Sequence, residues 1–254
     1  MKLSTREIAY GAEGRRMVGY YAVEICEPGE ARARPERRPG MLVSPPGPGL
    51  GEHSRTVARR LAQAGFAALA LDYHGGGEIL GDAAEMRARI QRFLENPDSI
   101  RARLSAALEV LRAQPDTDGA RIAAIGYCFG GTAVLELARS GAPLAATVGF
   151  HSGLKTARPQ DARQIKGKVL VCLGAQDPMI APAERSAFEE EMRRGGVDWQ
   201  MHVYGGAQHG FTDPGADERA RTMGIQGLKY DAAADRRSWR SMMDLLDEAG
   251  FAVG

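Results

Sequence analysis

Apolar and polar positions change rhythm along this chain. Before residue 26 they alternate with a period near two, giving strand-like segments at residues 3–10 and 17–25 around the turn-prone Gly11-Ala12-Glu13-Gly14. The pattern predicts an antiparallel hairpin at a sheet edge. Residues 28–39, rich in Arg, Glu and Pro, have no apolar period and read as a solvated loop too near the N-terminus to divide two domains.

Beyond that loop, short apolar runs alternate with longer amphipathic ones. Strands are expected at residues 41–44, 67–71, 121–125, 145–150, 169–173 and 199–203. Helices are expected at 52–64, 81–92, 100–113, 132–139, 182–194 and 232–249, with Asn96-Pro97-Asp98 opening the third. Strand–helix alternation of this kind builds a parallel sheet covered on both faces. The fold expected is therefore α/β: a mostly parallel central sheet flanked by helices, with the N-terminal hairpin added antiparallel. A length of 254 residues suits one such domain, spanning residues 1–254.

Composition narrows the function classes. The chain is 44% hydrophobic and 26% charged, enough apolar surface for a sizeable core. Its 33 basic and 32 acidic residues nearly cancel, so no global field favours nucleic acid or an acidic membrane. The three cysteines, Cys26, Cys128 and Cys172, form no C-x-x-C pair. No apolar stretch is long enough to span a bilayer, and charges at Lys2, Arg6, Glu7, Glu13, Arg15 and Arg16 interrupt any leader-like segment. A reduced, cytoplasmic setting is the expectation.

The chemistry concentrates in Gly126-Tyr127-Cys128-Phe129-Gly130-Gly131, between an expected strand and an expected helix. This is the G-x-nucleophile-x-G elbow with cysteine in the serine's place. Small residues let the backbone turn sharply, and the helix N-terminus behind Cys128 favours its thiolate. The alternative is a buried cysteine packed at an ordinary strand-to-helix turn. A cysteine nucleophile needs a base and an orienting carboxylate, which follow it in this fold in the order acid, then histidine. Asp177, in Gly174-Ala175-Gln176-Asp177-Pro178, and His209, in Gln208-His209-Gly210-Phe211, each follow an expected strand. Asp177 could instead be a turn cap, and His209 a surface-loop histidine. An oxyanion hole takes one N–H from Phe129; in Pro45-Pro46-Gly47-Pro48-Gly49-Leu50, Gly47 is the first residue with an N–H to give. Tyr73, His74, His151 and Phe211 are expected to line the substrate pocket. No histidine and carboxylate cluster has metal-ligand spacing, so neither metal nor other cofactor is implied.

These motifs together resemble the dienelactone hydrolase family, cysteine hydrolases of the α/β-hydrolase fold. The likeness runs through the hairpin, Gly47-Pro48-Gly49-Leu50, Ala70-Leu71-Asp72-Tyr73, the Cys128 elbow, Gly174-Ala175-Gln176-Asp177 and His209-Gly210-Phe211. It implies a Cys128 nucleophile, a His209 base, an orienting Asp177 and oxyanion donors at Gly47 and Phe129. The expected activity is hydrolysis of a small ester or lactone through an acyl-cysteine. A thioesterase or peptidase with the same three residues, or a non-catalytic small-molecule receptor, are the alternatives. Two departures stand out. Pro46 occupies the place of a family glutamate that engages the resting thiol, and residues 73–81 and 209–217 lack the arginines that grip a substrate carboxylate.

Overall fold

The computed structural model describes residues 2–25 and 37–251. Cys26 and most of the expected loop, residues 28–36, lie outside them. The N-terminal alternation forms strands β1 (Lys2–Ala12) and β2 (Arg15–Ile25), paired antiparallel in full register from Lys2↔Ile25 to Ala12↔Arg15. Strands β3 (Arg38–Ser44), β4 (Ala67–Ala70), β5 (Thr117–Tyr127), β6 (Ala146–Phe150), β7 (Lys168–Gly174) and β8 (Trp199–Tyr204) complete one eight-stranded sheet. The order is β1-β2-β4-β3-β5-β6-β7-β8, with all pairs from β4 to β8 parallel and β2 joined to β4 antiparallel.

Helices cover both faces: α1 (Glu52–Gln63), α2 (Ala83–Glu95), α3 (Pro97–Arg112), α4 (Phe129–Arg139), α5 (Pro182–Gly195), α6 (Ala216–Met223) and α7 (Ala232–Glu248). Alternation within β3 separates the two cores. Met41 and Val43 pack with Leu61 of α1 and Leu245 of α7, whereas Leu42 packs with Leu104 of α3 and Val134 of α4. Each face thus carries its own apolar layer, as a buried parallel sheet requires.

Boundaries move where tertiary pairing overrides local pattern. β3 starts at Arg38, inside the expected loop, because Arg38 N–H donates to the Asp116 carbonyl while its guanidinium reaches the Glu24 carbonyl. β5 starts at Thr117, earlier than the apolar run, with a register shift at Pro39/Gly40 absorbing the extra length. Two elements lack a counterpart in the sequence reading: α6 and a 3-10 turn over Pro159–Gln164. Among the described residues no helix is long and apolar enough to cross a membrane.

The chain reverses its direction of winding at β3, since β4 lies on one side and β5 on the other. Such a switch point leaves a crevice at the strands' carboxyl ends. Ser44 of β3 pairs with Gly126 of β5, so the segments that follow these two residues start side by side.

Candidate functional site

Cys128 stands at the crevice between β5 and α4, with φ 54° and ψ −125°. That region is strained for a residue bearing a Cβ, at roughly 1–3 kcal/mol, and persists only when its surroundings hold it. They do so here through several hydrogen bonds. Cys128 N–H donates to the Phe150 carbonyl at 3.0 Å and lies 3.2 Å from His151 Nδ1, while Gly131 N–H donates to the Cys128 carbonyl at 3.0 Å. The flanking glycines are sterically required. A Cβ on Gly126 would lie 2.1 Å from the Gly130 carbonyl oxygen, and one on Gly130 would lie 2.2 Å from that of Pro45.

The loops after β7 and β8 bring Asp177 and His209 together. His209 Nδ1 lies 2.8 Å from Asp177 Oδ2, both residues being buried. The other Asp177 oxygen accepts from Met179 N–H at 2.8 Å. A third segment locks the pair: His209 N–H donates to the Gly227 carbonyl, and Lys229 N–H to the His209 carbonyl. Gly227 sits so close to Pro178 that a Cβ there would come within 2.2 Å of its ring.

Charge ties the three side chains into one unit. Burial opposes the Cys128 thiolate, yet the His209 imidazolium and the N–H groups of Gly47 and Phe129 pull its pKa below the ordinary thiol value. Burial likewise opposes the His209 cation, but the Cys128 thiolate and the Asp177 carboxylate outweigh it and raise its pKa to about 10. His209 Nε2 has no hydrogen bond of good geometry, so its link to the sulfur is chiefly electrostatic. Cys172 provides the contrast, with burial pushing its thiol up to about 12.

A cavity of about 220 Å³ opens over Cys128 and His209. Pro46, Pro48, Met86, Ile90, Met179 and Leu228 make its walls mostly apolar. His53 and His151 also face it, and burial holds both imidazoles below the usual histidine pKa. His151 Nε2 sits 2.8 Å from Thr212 Oγ1, so a neutral ring donating there leaves Nδ1 to accept from Cys128 N–H. A larger cavity of about 650 Å³ between α2 and the start of α3 contains none of Cys128, Asp177 or His209. Chemistry rather than size locates the site. Among the described residues no group of three or more His, Cys, Asp or Glu is arranged to hold a metal ion.

Of the four residues expected to line the pocket, only His151 does so. Tyr73 is fully buried beneath the Pro46–Gly47 segment, with its hydroxyl 2.6 Å from the Pro46 carbonyl oxygen. His74 Nε2 lies 2.9 Å from the Gly47 carbonyl oxygen and the ring borders the larger cavity. Phe211 is buried behind His151, their ring centroids 5.1 Å apart. The correction has local causes: Tyr73 and His74 turn beneath the Pro46–Gly47 segment, and Phe211, although its neighbours His209 and Gly210 line the cavity, packs its ring inward behind His151.

Sequence reading missed Arg219. It lies on α6, lines the cavity and forms an ion pair with Asp213. Asp213 also accepts from Gly215 N–H at 2.7 Å, while its own N–H donates to the Gly210 carbonyl at 3.0 Å. The short amphipathic stretch 216–223 was the only signal, and its pairing exists only because residues 210–215 fold back.

Fold and crevice define the class: this is an α/β-hydrolase, with its functional groups at the carboxyl edge of the sheet. The model of the dienelactone hydrolase family matches residues 29–250, and the chain belongs to that family. A solved structure described as a dienelactone hydrolase-like promiscuous phosphotriesterase from metagenomic libraries is 42% identical, with a TM-score of 0.88 over 97% of this chain and 98% of its own. A probable 2-oxo-3-(5-oxofuran-2-ylidene)propanoate lactonase from Bradyrhizobium sp is 28% identical, the match covering 74% of this chain and 82% of its own. A putative carboxymethylenebutenolidase of Methylorubrum extorquens is 26% identical over 80% and 70% respectively.

Proposed function

We propose that this hydrolase, a single α/β domain, cleaves a small ester or lactone through an acyl-cysteine intermediate on Cys128, His209 and Asp177. The supporting observation is convergence on one sulfur: the N–H groups of Gly47 and Phe129 and the His209 imidazolium all stabilise the Cys128 thiolate. Donors that hold a thiolate at rest are placed to hold the oxyanion that forms beside it.

In this mechanism Cys128 Sγ bonds to the substrate's carbonyl carbon and the π pair moves onto oxygen, facing Gly47 and Phe129. The tetrahedral species collapses, breaking the bond to the leaving alkoxide, which takes the proton from His209 Nε2. Neutral His209 then removes a proton from water as it attacks the thioester. Collapse of the second tetrahedral species returns thiolate, imidazolium and free acid. Asp177 accepts from Nδ1–H throughout, orienting the ring and stabilising its cation.

Two features support a compact substrate of low polarity: the small cavity volume and its apolar walls. A neutral phosphotriester makes the same demands on nucleophile and oxyanion donors, and the 42% identical relative is described as hydrolysing that class. The test is trapping. Brief exposure to an activated ester, followed by acid quench and peptide mass mapping, should place one acyl group on Cys128, with none in Cys128→Ala. An acyl group on another residue, with activity intact in Cys128→Ala, would refute the assignment.

A further inference from the structure

We infer that Tyr73 is a positioning residue for the oxyanion hole: its phenol fixes and polarises the peptide unit whose N–H faces the reacting sulfur. The inference rests on the hydrolase reading above and deepens it, because it concerns the Gly47 donor.

The Pro46 carbonyl and the Gly47 N–H are opposite ends of one planar amide. Tyr73 hydroxyl donates to that carbonyl at 2.6 Å, and Gly49 N–H donates to the same oxygen at 2.9 Å. The next carbonyl, that of Gly47, accepts from His74 Nε2 at 2.9 Å, and that of Pro48 accepts from Leu80 N–H at 2.9 Å. Three successive carbonyls of the loop are thus held by the segment that follows β4. The segment is itself braced: the Asp72 carboxylate accepts from the N–H groups of Val18, His74, Gly75 and Gly77.

This clamping answers a specific weakness. Gly47 lies between Pro46 and Pro48, which have no N–H, so it is the one residue of the three that can donate. Lacking a Cβ, it is also the one whose backbone turns most freely. A Cβ there would come within 2.9 Å of Met86 Sδ and 3.1 Å of Ile90 Cδ1, against the cavity wall. An amide plane rotated by a few tens of degrees would carry the N–H away from the sulfur. Holding the carbonyl end holds the N–H end.

The same contact acts electronically. A hydrogen bond to an amide oxygen draws charge through the conjugated unit and makes the N–H a stronger donor, cooperative strengthening being on the order of 10–30% per bond. Tyr73 suits the task because burial, together with the neighbouring Cys128 and Asp72 charges, holds its phenol protonated well beyond the ordinary range. Its ring is wedged edge-on against Phe93 and Phe129, at centroid distances of 6.1 and 5.4 Å. A phenylalanine would fill that space equally well, so the hydroxyl is what must be explained.

Tyr73→Phe removes the hydroxyl and little else. Two readouts should move together. With a neutral chromogenic ester, kcat should fall about tenfold with KM within twofold, a smaller loss than the 10²–10³ typical when an oxyanion donor is removed outright. Without any substrate, thiolate absorbance titrated against a Cys128→Ser background should move to higher pH, because the weakened Gly47 N–H also holds the resting thiolate. Unchanged kcat and titration would reduce Tyr73 to a space-filling aromatic and overturn the inference. A fall in kcat with the titration unmoved would overturn it as well, since it would signal general loosening. The titration needs no turnover, so it stays decisive even if esters prove to be the wrong substrate, an outcome that acyl trapping on the wild type reports separately.

Discussion

His209 Nδ1 and Asp177 Oδ2 lie 2.8 Å apart with both side chains shielded from solvent, so the ring has one orientation and, whenever it is neutral, one tautomer. The carboxylate can only accept, which puts the proton on Nδ1 and leaves Nε2 to serve the sulfur. Asp177→Asn keeps the shape but can offer an N–H where the ring also needs to donate. Turnover should fall by about 10³–10⁴ with the fold retained, as for an orienting aspartate whose loss selects the wrong tautomer. Steady-state kinetics beside a circular dichroism melt check this; full activity would remove Asp177 from the mechanism.

The thiolate–imidazolium pairing sets the direction of the pH profile. Cys128 ionises below the ordinary thiol range and His209 holds its proton up to about 10. Activity should therefore rise with pH as the thiolate forms, on a limb below the roughly 8.5 of a free cysteine. It should fall again near 10, where the imidazolium that protonates the leaving group is lost. The position of Pro46, where the resembled enzymes place a carboxylate, agrees with this order, since no acid in that loop competes for the sulfur. An acid limb of kcat/KM at the free-thiol value would contradict the pairing.

Asp72 carries the loop that carries Gly47. Its two oxygens accept four backbone N–H groups and its residue is fully buried. Asparagine has one acceptor oxygen and would point an amide N–H₂ at donors, leaving at least two of them unpaired. At about 1–3 kcal/mol for each buried group left unsatisfied, Asp72→Asn should cost about 2–6 kcal/mol and lower the melting temperature by several degrees. A melt unchanged within error would mean that the loop finds other acceptors.

Much of the architecture was legible because burial on both sheet faces makes parallel strands read as apolar runs between amphipathic helices. Strand order was not, since nothing in the local pattern of β3 says that β4 lies on one side and β5 on the other. The elbow was legible because its glycines are forced: any Cβ on Gly126 or Gly130 collides with backbone. The pocket walls were harder. Tyr73 and His74 follow a strand at the correct edge, yet the Asp72 turn bends them beneath the Pro46–Gly47 segment. Met86 and Ile90 reach the cavity from α2, whose angle to the sheet only packing decides, and Leu228 from the connection between α6 and α7, bridged to His209.

Arg219 changes the argument about substrate charge without reversing it. The sequence offers no arginine in residues 73–81 or 209–217 and leaves Arg87, Arg89 or Arg92 on the following helix as those able to reach the cleft; the structure puts Arg219 in its wall, but with Asp213 already bound to the guanidinium. Asp213 is nine-tenths buried and anchored to Gly215 N–H, so an arriving carboxylate would have to displace an acid better held than itself. Burying a carboxylate without a partner costs several kcal/mol, and the cavity's walls are mostly apolar. Neutral esters or lactones should therefore have kcat/KM at least about tenfold above matched carboxylate-bearing analogues, a gap of about 1.4 kcal/mol. Asp213→Asn keeps an oxygen for Gly215 N–H and frees Arg219, so it should narrow or invert that ratio, and Asp213→Asn with Arg219→Gln should restore it. Arg87 also borders the cavity but is exposed on α2, so any attraction it exerts is screened by salt. Measuring the ratio at low and high ionic strength separates the two arginines. A wild-type preference for the anion that persists in high salt and vanishes in Arg219→Gln would mean that Arg219 reads carboxylates despite Asp213, and the neutral-substrate reading would fall.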